Sequence, residues 1–171
     1  CSDIWVKNKR ISKYKLLFII MVLLLLPALY DLFANNPGMS TGDTLVTMVN
    51  NAHHLYGMYD WHPAFYCMVL SAIQHVWDST YAVIIVQYFF WAYVNIELFM
   101  YLRKKGINDS VVITVAGLLG ISAANFIHIN TIWKDIPYAL SVMWLIVILG
   151  KLSIDFEIYN KKWYVYVELV V

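Results

Sequence analysis

The stretch LLFIIMVLLLLPALYDLF, residues 16–33, decides the fold of this chain. An apolar run of this length crosses the roughly 30 Å hydrocarbon core of a bilayer as a single helix. Five basic residues crowd the segment 7–15 directly before it. A signal peptide also begins with basic residues, but its apolar region is shorter, and here further spans follow. We therefore predict an uncleaved first membrane helix whose basic start lies in the cytoplasm.

The composition indicates that lipid is the main solvent of the protein. Of the 171 residues, 61% are hydrophobic and 13% are charged, whereas an average soluble domain has roughly 25% charged residues. Cys1 and Cys67 are too few for a disulfide framework and lack metal-ligand spacing to histidine. A lipoprotein start at Cys1 would place the basic segment outside the cell, against the positive-inside tendency. The composition excludes a soluble domain and predicts no nucleic-acid partner.

Further apolar spans follow the first one and predict an all-α, polytopic transmembrane bundle. They lie at 80–102, 111–129 and 136–152, and a fifth begins at 163 and continues through 171. The first outer loop occupies 34–79. We treat 1–171 as a single transmembrane domain. Because the chain lacks an initiating Met and ends in an apolar segment, we expect this domain to be incomplete at both ends.

The apolar stretch 63–77 determines the predicted topology. As a helix it is roughly 22 Å long, which is short of the hydrocarbon core. If it does not cross, the basic run 103–105 lies inside with the N-terminal cluster, and Lys134 is the only basic residue outside. The positive-inside rule therefore favours a helix on the membrane surface. Helical spacing after Ser40 predicts another, so the outer loop contains two amphipathic juxtamembrane helices.

Asp43 is the main candidate for chemistry in this loop. The pattern Ser40-Thr41-Gly42-Asp43 matches a helix-capping motif, so the carboxylate either caps the helix or serves as a general base. The two roles are not exclusive. Adjacent His53 and His54 lie about 100° apart on a helix, which does not suit a two-histidine metal site.

A second polar group, Asp60-Trp61-His62, precedes the proline-started surface helix. Trp61 is typical of an interfacial anchor, and His62 of a local hydrogen-bonding group. The functional alternative is a rim that orients a sugar or a phosphate, to which we also assign His54 on the polar face of the preceding helix.

Lys134 and Asp135 lie in the short outer connection before the fourth span. Lys134 either pairs with Asp135 or a lipid headgroup, or it is the counter-charge for a phosphate in the outer leaflet. Within the spans, pairing near the inner boundary accounts for Glu97. Asn125 and His128 approach the outer boundary, where we expect them to join the same cavity as Asp43.

The order of these features resembles the N-terminal part of membrane glycosyltransferases of the GT-C fold, and most closely uncharacterised bacterial members with a PG-x4-D and HP pattern. The matching segments are PGMSTGD at 37–43, DWHPA at 60–64 and Lys134-Asp135. Ala64 replaces the second proline of the family's HPP motif. Thr44 replaces the glutamate of its Asp-Glu pair, which leaves Asp43 as the sole candidate base.

The resemblance implies transfer of a sugar from a polyprenyl-phosphate donor to a hydroxyl of a glycan, lipid or protein acceptor, with inversion. Asp43 would deprotonate the acceptor, while Lys134 and His62 would balance the phosphate charge. It implies a bacterial plasma (inner) membrane and leaves a divalent cation open as a cofactor. The alternatives are a transporter or channel segment with polar residues along a path, and a non-enzymatic membrane scaffold.

Overall fold

The computed structural model describes residues 10–34, 39–40, 64–159, 161–163 and 165–166, with the backbone alone at 39–40, 64 and 126. This part of the chain is mostly helical. Its helices are α1 (Lys13–Ala34), α2 (Ala64–Val76), α3 (Thr80–Lys104), α4 (Asp109–Gly120), α5 (Ala123–Ile129), α6 (Asp135–Ile154) and α7 (Phe156–Tyr159). Two short strands, β1 (Met39–Ser40) and β2 (Thr131–Ile132), pair in parallel.

Three described helices, α1, α3 and α6, are long and apolar enough to cross a membrane. Helices α4 and α5 form a fourth such segment if they are taken as one span bent by 55°. These elements coincide in sequence with the predicted spans 16–33, 80–102, 136–152 and 111–129. The predicted fifth span lies mostly outside the described residues.

Helix α1 shows why the bundle suits lipid better than water. The side chains that it buries recur at every fourth position, and they are Leu16, Ile20, Leu24, Ala28 and Leu32. The remaining faces are also apolar, since Phe18, Leu26 and Phe33 are exposed. A helix that is apolar on all sides belongs in a core or in a membrane. Because the described residues cover only one stripe of α1, its other faces are compatible with contact to lipid.

Helix α3 runs antiparallel to α1. Arg103, near the end of α3, hydrogen-bonds the backbone of Ile11 before α1, whereas Tyr88, early in α3, hydrogen-bonds Ala28 late in α1. Helix α6 runs parallel to α3, because its late residue Lys151 pairs with Glu97. We call the end with Lys13, Arg103 and Lys151 the basic end. The end with Asp31, Asn130 and Lys134 is called the opposite end.

The predicted continuous span 111–129 is wrong in one respect, because the helix breaks after Gly120. The Asn125 amide donates to the Leu119 carbonyl over 2.9 Å. A continuous helix would give that carbonyl to the N–H four residues later, so the side chain replaces a helical bond at the break. Three small residues lie four apart on either side of the break. Ala116 is buried and Gly120 packs against α1, whereas Ala124 lies beyond the break and is exposed.

Helix α2 lies beside α3 and coincides with the predicted surface helix 63–77. Its thirteen residues extend about 20 Å. Cys67, Leu70 and Gln74 are buried, while Phe65 and Met68 are exposed. Because α1 ends and α3 begins at the opposite end, the chain between them starts and finishes there. A surface position for α2 stays a prediction, and the first predicted amphipathic helix lies outside the described residues.

Candidate functional site

A cavity of about 570 Å³ lies between α2, α3 and the first half of α6, towards the opposite end of the bundle. Its walls are built almost entirely from aromatic and branched apolar side chains. Among them are Phe65, Leu70, Ile73, Val83, Phe90 and Trp144. The volume is in the range of roughly 300–1,000 Å³ that is common for small-molecule sites. The cavity therefore suits an apolar ligand.

A few polar side chains lie on the walls, and two of them are engaged by backbone carbonyls. The Gln87 amide donates to the carbonyls of Ile129, over 2.8 Å, and Thr131, over 3.1 Å. The Ser141 hydroxyl donates to the Pro137 carbonyl of its own helix, over 2.8 Å. These bonds hold the walls and leave the ammonium group of Lys134 as the principal charged donor available to a ligand.

Lys134 stands directly before the first turn of α6. It occupies the N-cap position in a helical conformation, and its side chain makes no capping hydrogen bond. Within the described ranges it forms no ion pair, not even with its neighbour Asp135. A cation at a helix N-terminus opposes the helix dipole, so its position costs free energy unless an anion compensates it. Asp135 already supplies one negative charge in the first turn of α6, and Lys134 favours a further negative group.

Tyr66 lies on the α2 wall of the cavity. Burial raises the pKa of its hydroxyl, and the nearby Cys67 and Asp135 side chains raise the pKa further. The phenol therefore stays neutral at physiological pH. It can exchange hydrogen bonds with a ligand but cannot compete with Lys134 for an anion's charge.

A buried polar network lies behind the cavity at the same end. The Asn130 amide donates to Asp31, and the Tyr88 hydroxyl lies within hydrogen-bonding distance of Asn130 Oδ1 and of the Ala28 carbonyl, the latter at 2.8 Å. The network ties α1 to α3 and to the turn before β2. Sequence reasoning missed it. Polar residues inside otherwise apolar runs were the available signal, but their partners are 42 to 99 residues away in the chain.

The two short strands join the first outer loop to this region. Met39 pairs with Thr131, and Ser40 pairs with Ile132. The two strands run in the same direction, and Lys134 follows Ile132 by two residues. The beginning of the predicted catalytic segment therefore lies beside the connection that carries Lys134.

The predicted site residues divide into two groups. Asp43, His54, Asp60, Trp61 and His62 lie outside the described residues. Lys134 and Asp135 both line the cavity.

Asn125 and His128 do not line this cavity. Their expected position in one cavity with Asp43 stays a prediction, because Asp43 lies outside the described residues. Asn125 bonds at the helix break, and His128 is exposed. In the described part of the chain, no group of three or more His, Cys, Asp or Glu side chains is arranged to hold a metal ion.

Helices of this length, apolar on their outward faces and arranged around a lateral apolar cavity, are compatible with an integral membrane protein. No family model, no curated protein and no solved structure matches the chain. The functional argument therefore rests on the site itself.

Proposed function

We propose that this chain is part of a membrane glycosyltransferase that uses a polyprenyl-phosphate-linked sugar as its donor. The observation that carries the proposal is the apolar cavity lined by Lys134, which has no ion-pair partner among the described residues. A ligand suited to both features has a long apolar chain and an anionic group at one end. A polyprenyl phosphate has this chemistry.

The cost of an uncompensated lysine supports an anionic ligand. A charged side chain at membrane depth is expensive unless it reaches water or finds a partner. Lys134 is half-buried and lines an apolar cavity. A phosphate placed there would accept a charge-assisted hydrogen bond from the ammonium group, while its apolar chain would lie along α2 and α6.

The proposed reaction is a single inverting displacement. An acceptor hydroxyl oxygen attacks the anomeric carbon of the sugar and gives its proton to the Asp43 carboxylate. The bond between the anomeric carbon and the phosphate oxygen breaks, and polyprenyl phosphate leaves with the electron pair. Lys134 balances the negative charge that develops on the leaving group. The proposed acceptor is a hydroxyl of a glycan, a lipid or a protein.

The strand pairing supports this assignment of roles. Ser40 pairs with Ile132, two residues before Lys134. Asp43 follows Ser40 by three residues, and three residues span at most about 11 Å. The residues proposed to orient the sugar and the phosphate are Asp135 in the cavity wall and, in the first outer loop, His54, Asp60, Trp61 and His62.

The proposed orientation follows from charge. Most basic residues of α1, α3 and α6 lie at the basic end, so the positive-inside rule assigns that end to the cytoplasm. The cavity and Lys134 then face the outer leaflet of a bacterial plasma membrane, where lipid-linked sugars serve as donors. A cytoplasmic N-terminus is part of the proposal.

Transport is the second candidate, because discontinuous helices are common in transporters and α4 and α5 meet at a 55° bend. The bond from Asn125 to Leu119 satisfies a carbonyl at this break. Buried Asn95 bonds to Trp91 within its own helix. Polar groups that satisfy each other do not form a continuous path for a solute, so these contacts favour transfer over transport.

Binding of polyprenyl phosphate and of polyprenol, which lacks the phosphate, tests the Lys134 role. The full chain in lipid nanodiscs should bind the phosphate form more tightly, and Lys134→Gln should reduce that preference at least roughly tenfold. Lys161→Gln, the same change at an exposed site on the basic end, is the control. Equal affinity of the unmodified protein for both lipids would overturn the proposed site.

A second pair of variants tests the cavity. Ser141 lines it, whereas Ser153 is an exposed residue of the same helix outside it. Ser141→Phe should weaken binding of both lipids by roughly 5- to 150-fold, as expected for overpacking of about 1–3 kcal/mol. Ser153→Phe should leave binding unchanged. If the two variants behave alike, the lipid chain does not occupy this cavity.

Turnover tests the enzyme directly. Membranes containing the full-length protein are supplied with a panel of polyprenyl-phosphate hexoses and pentoses, and release of polyprenyl phosphate is measured. Asp43→Asn should abolish release while expression and insertion are kept. Glu157→Gln, a change at an exposed carboxylate in α7, is the control. Undiminished turnover in Asp43→Asn would remove that residue from the proposed mechanism.

A further inference from the structure

A second cavity, of about 700 Å³, lies at the basic end of the bundle. It is formed where the start of α1, the ends of α3 and α6, and the segment around α7 converge. Six basic side chains line it, together with the single carboxylate of Glu97. The basic residues are Arg10, Lys13, Arg103, Lys104, Lys151 and Lys162. We call it the basic cavity.

Three of these cations lie against the ring of Tyr159 on the cavity wall. The ammonium groups of Lys104, Lys162 and Lys151 lie 4.6, 5.0 and 5.9 Å from the ring centre. Two groups that share one ring in this way are within about 10 Å of each other, where salt screens their repulsion only in part. Cation–π attraction compensates part of this crowding.

Carboxylates compensate some of the remaining charge. Lys151 pairs with Glu97. Asp155 lies 2.8 Å from Lys105 and 3.9 Å from Lys104.

Two further described carboxylates lie at this end: Glu157 is exposed and does not line the cavity, and Asp109 is engaged. Asp109 lies 2.8 Å from Arg103 and accepts the backbone N–H of Ile11. Arg10 and Lys13 have no carboxylate within 4 Å among the described residues. The cavity therefore keeps a local excess of positive charge that the described carboxylates do not neutralise.

We infer that the basic cavity binds a phosphate group, supplied either by an anionic phospholipid headgroup or by a soluble diphosphate. A phosphate offers several acceptor oxygens to donors that approach from different helices. The cavity lies at the ends of helices that are long enough to cross a membrane, which is the level of lipid headgroups. Basic pockets between membrane helices are known to bind such headgroups. The site is independent of the proposed transferase, whose cavity lies at the opposite end.

Native mass spectrometry of the full chain, released from mixed micelles, measures the lipid that stays bound. The unmodified protein should retain phosphatidylglycerol in preference to phosphatidylcholine. The double variant Lys13→Gln/Lys162→Gln should bind phosphatidylglycerol roughly 25-fold more weakly, since each lysine near an anionic lipid contributes roughly fivefold. The matched control is Lys15→Gln/Lys161→Gln, which changes the neighbouring exposed lysines by the same total charge.

A second measurement identifies the source of the phosphate. Pyrophosphate is added to the phosphatidylglycerol-bound protein, and its displacement of the lipid is recorded. Displacement supports a phosphate site that soluble ligands also reach, whereas retention supports a headgroup site. Equal retention of phosphatidylglycerol by the two double variants would overturn the inference. So would equal retention of the two lipids by the unmodified protein, combined with no thermal stabilisation by pyrophosphate.

Discussion

Replacing Gly120 by alanine should force α1 and α4 apart. A Cβ atom at this position would lie 2.0 Å from the carbonyl oxygen of Leu23 and 3.0 Å from its carbonyl carbon. That oxygen belongs to backbone and cannot rotate away as a side chain would. Pro27, four residues after Leu23, has no N–H to give to this carbonyl. The glycine therefore fits against a carbonyl that the proline leaves without its helical partner.

The expected cost follows from this geometry. Relieving the overlap requires the helices to separate by about 1 Å, and forced overpacking of a close contact typically costs about 1–3 kcal/mol. We expect Gly120→Ala to lower the free energy of unfolding by about 2 kcal/mol. Gly117, one turn earlier in α4, has no atom within 4 Å of its Cβ position. Gly117→Ala should be neutral or stabilising by about 0.5–1 kcal/mol, because alanine costs less backbone entropy than glycine in a helix.

The assay is equilibrium unfolding of the full chain in detergent mixed with increasing SDS, followed by near-ultraviolet circular dichroism. The seven tryptophans provide the signal. The difference between the two alanine variants is the informative quantity, because both make the same chemical change in the same helix. If Gly120→Ala were as stable as Gly117→Ala, α1 and α4 would not approach each other at Gly120, and the packing described above would be refuted.

Two further predictions concern buried polar contacts, and the same assay measures both. Asp109→Asn should destabilise the protein by about 3 kcal/mol, because it leaves the Arg103 guanidinium beside a neutral amide and weakens the tie to Ile11; an effect below that of an ordinary surface substitution would show that the pair contributes nothing. Tyr88→Phe should lower the free energy of unfolding by about 1–3 kcal/mol, because the buried side-chain oxygen Oδ1 of Asn130 loses its donor. Unchanged stability would mean that water replaces the hydroxyl.

The elements that the sequence predicted best are the long apolar helices. A run of apolar residues such as 16–33 predicts a helix of a certain length in an apolar solvent. The basic residues before the run mark where that helix begins. The break after Gly120 could not be predicted in this way. The Asn125 side chain bonds to the Leu119 carbonyl at this break, and apolar periodicity carries no information about such a contact.

The site was predictable only in part. The sequence predicted Lys134 as a site residue because it is the only basic residue in the predicted outer segments. The structure shows that it lines an apolar cavity. The cavity could not be predicted, because its walls come from three helices that are separate in sequence. For the same reason the sequence did not predict the hydrogen-bonded link between Asp31 and Tyr88 through Asn130.

The sequence by itself determined that long helices form and that their outward faces require an apolar solvent, because both properties depend on residues close together in the chain. Only the tertiary structure decided which polar groups find partners. Lys151 pairs with Glu97, which is 54 residues away in sequence, and Asp109 accepts a hydrogen bond from Ile11, which is 98 residues away. Lys134 pairs with no carboxylate among the described residues. Pairing of charges depends on distances between helices, and packing alone sets those distances.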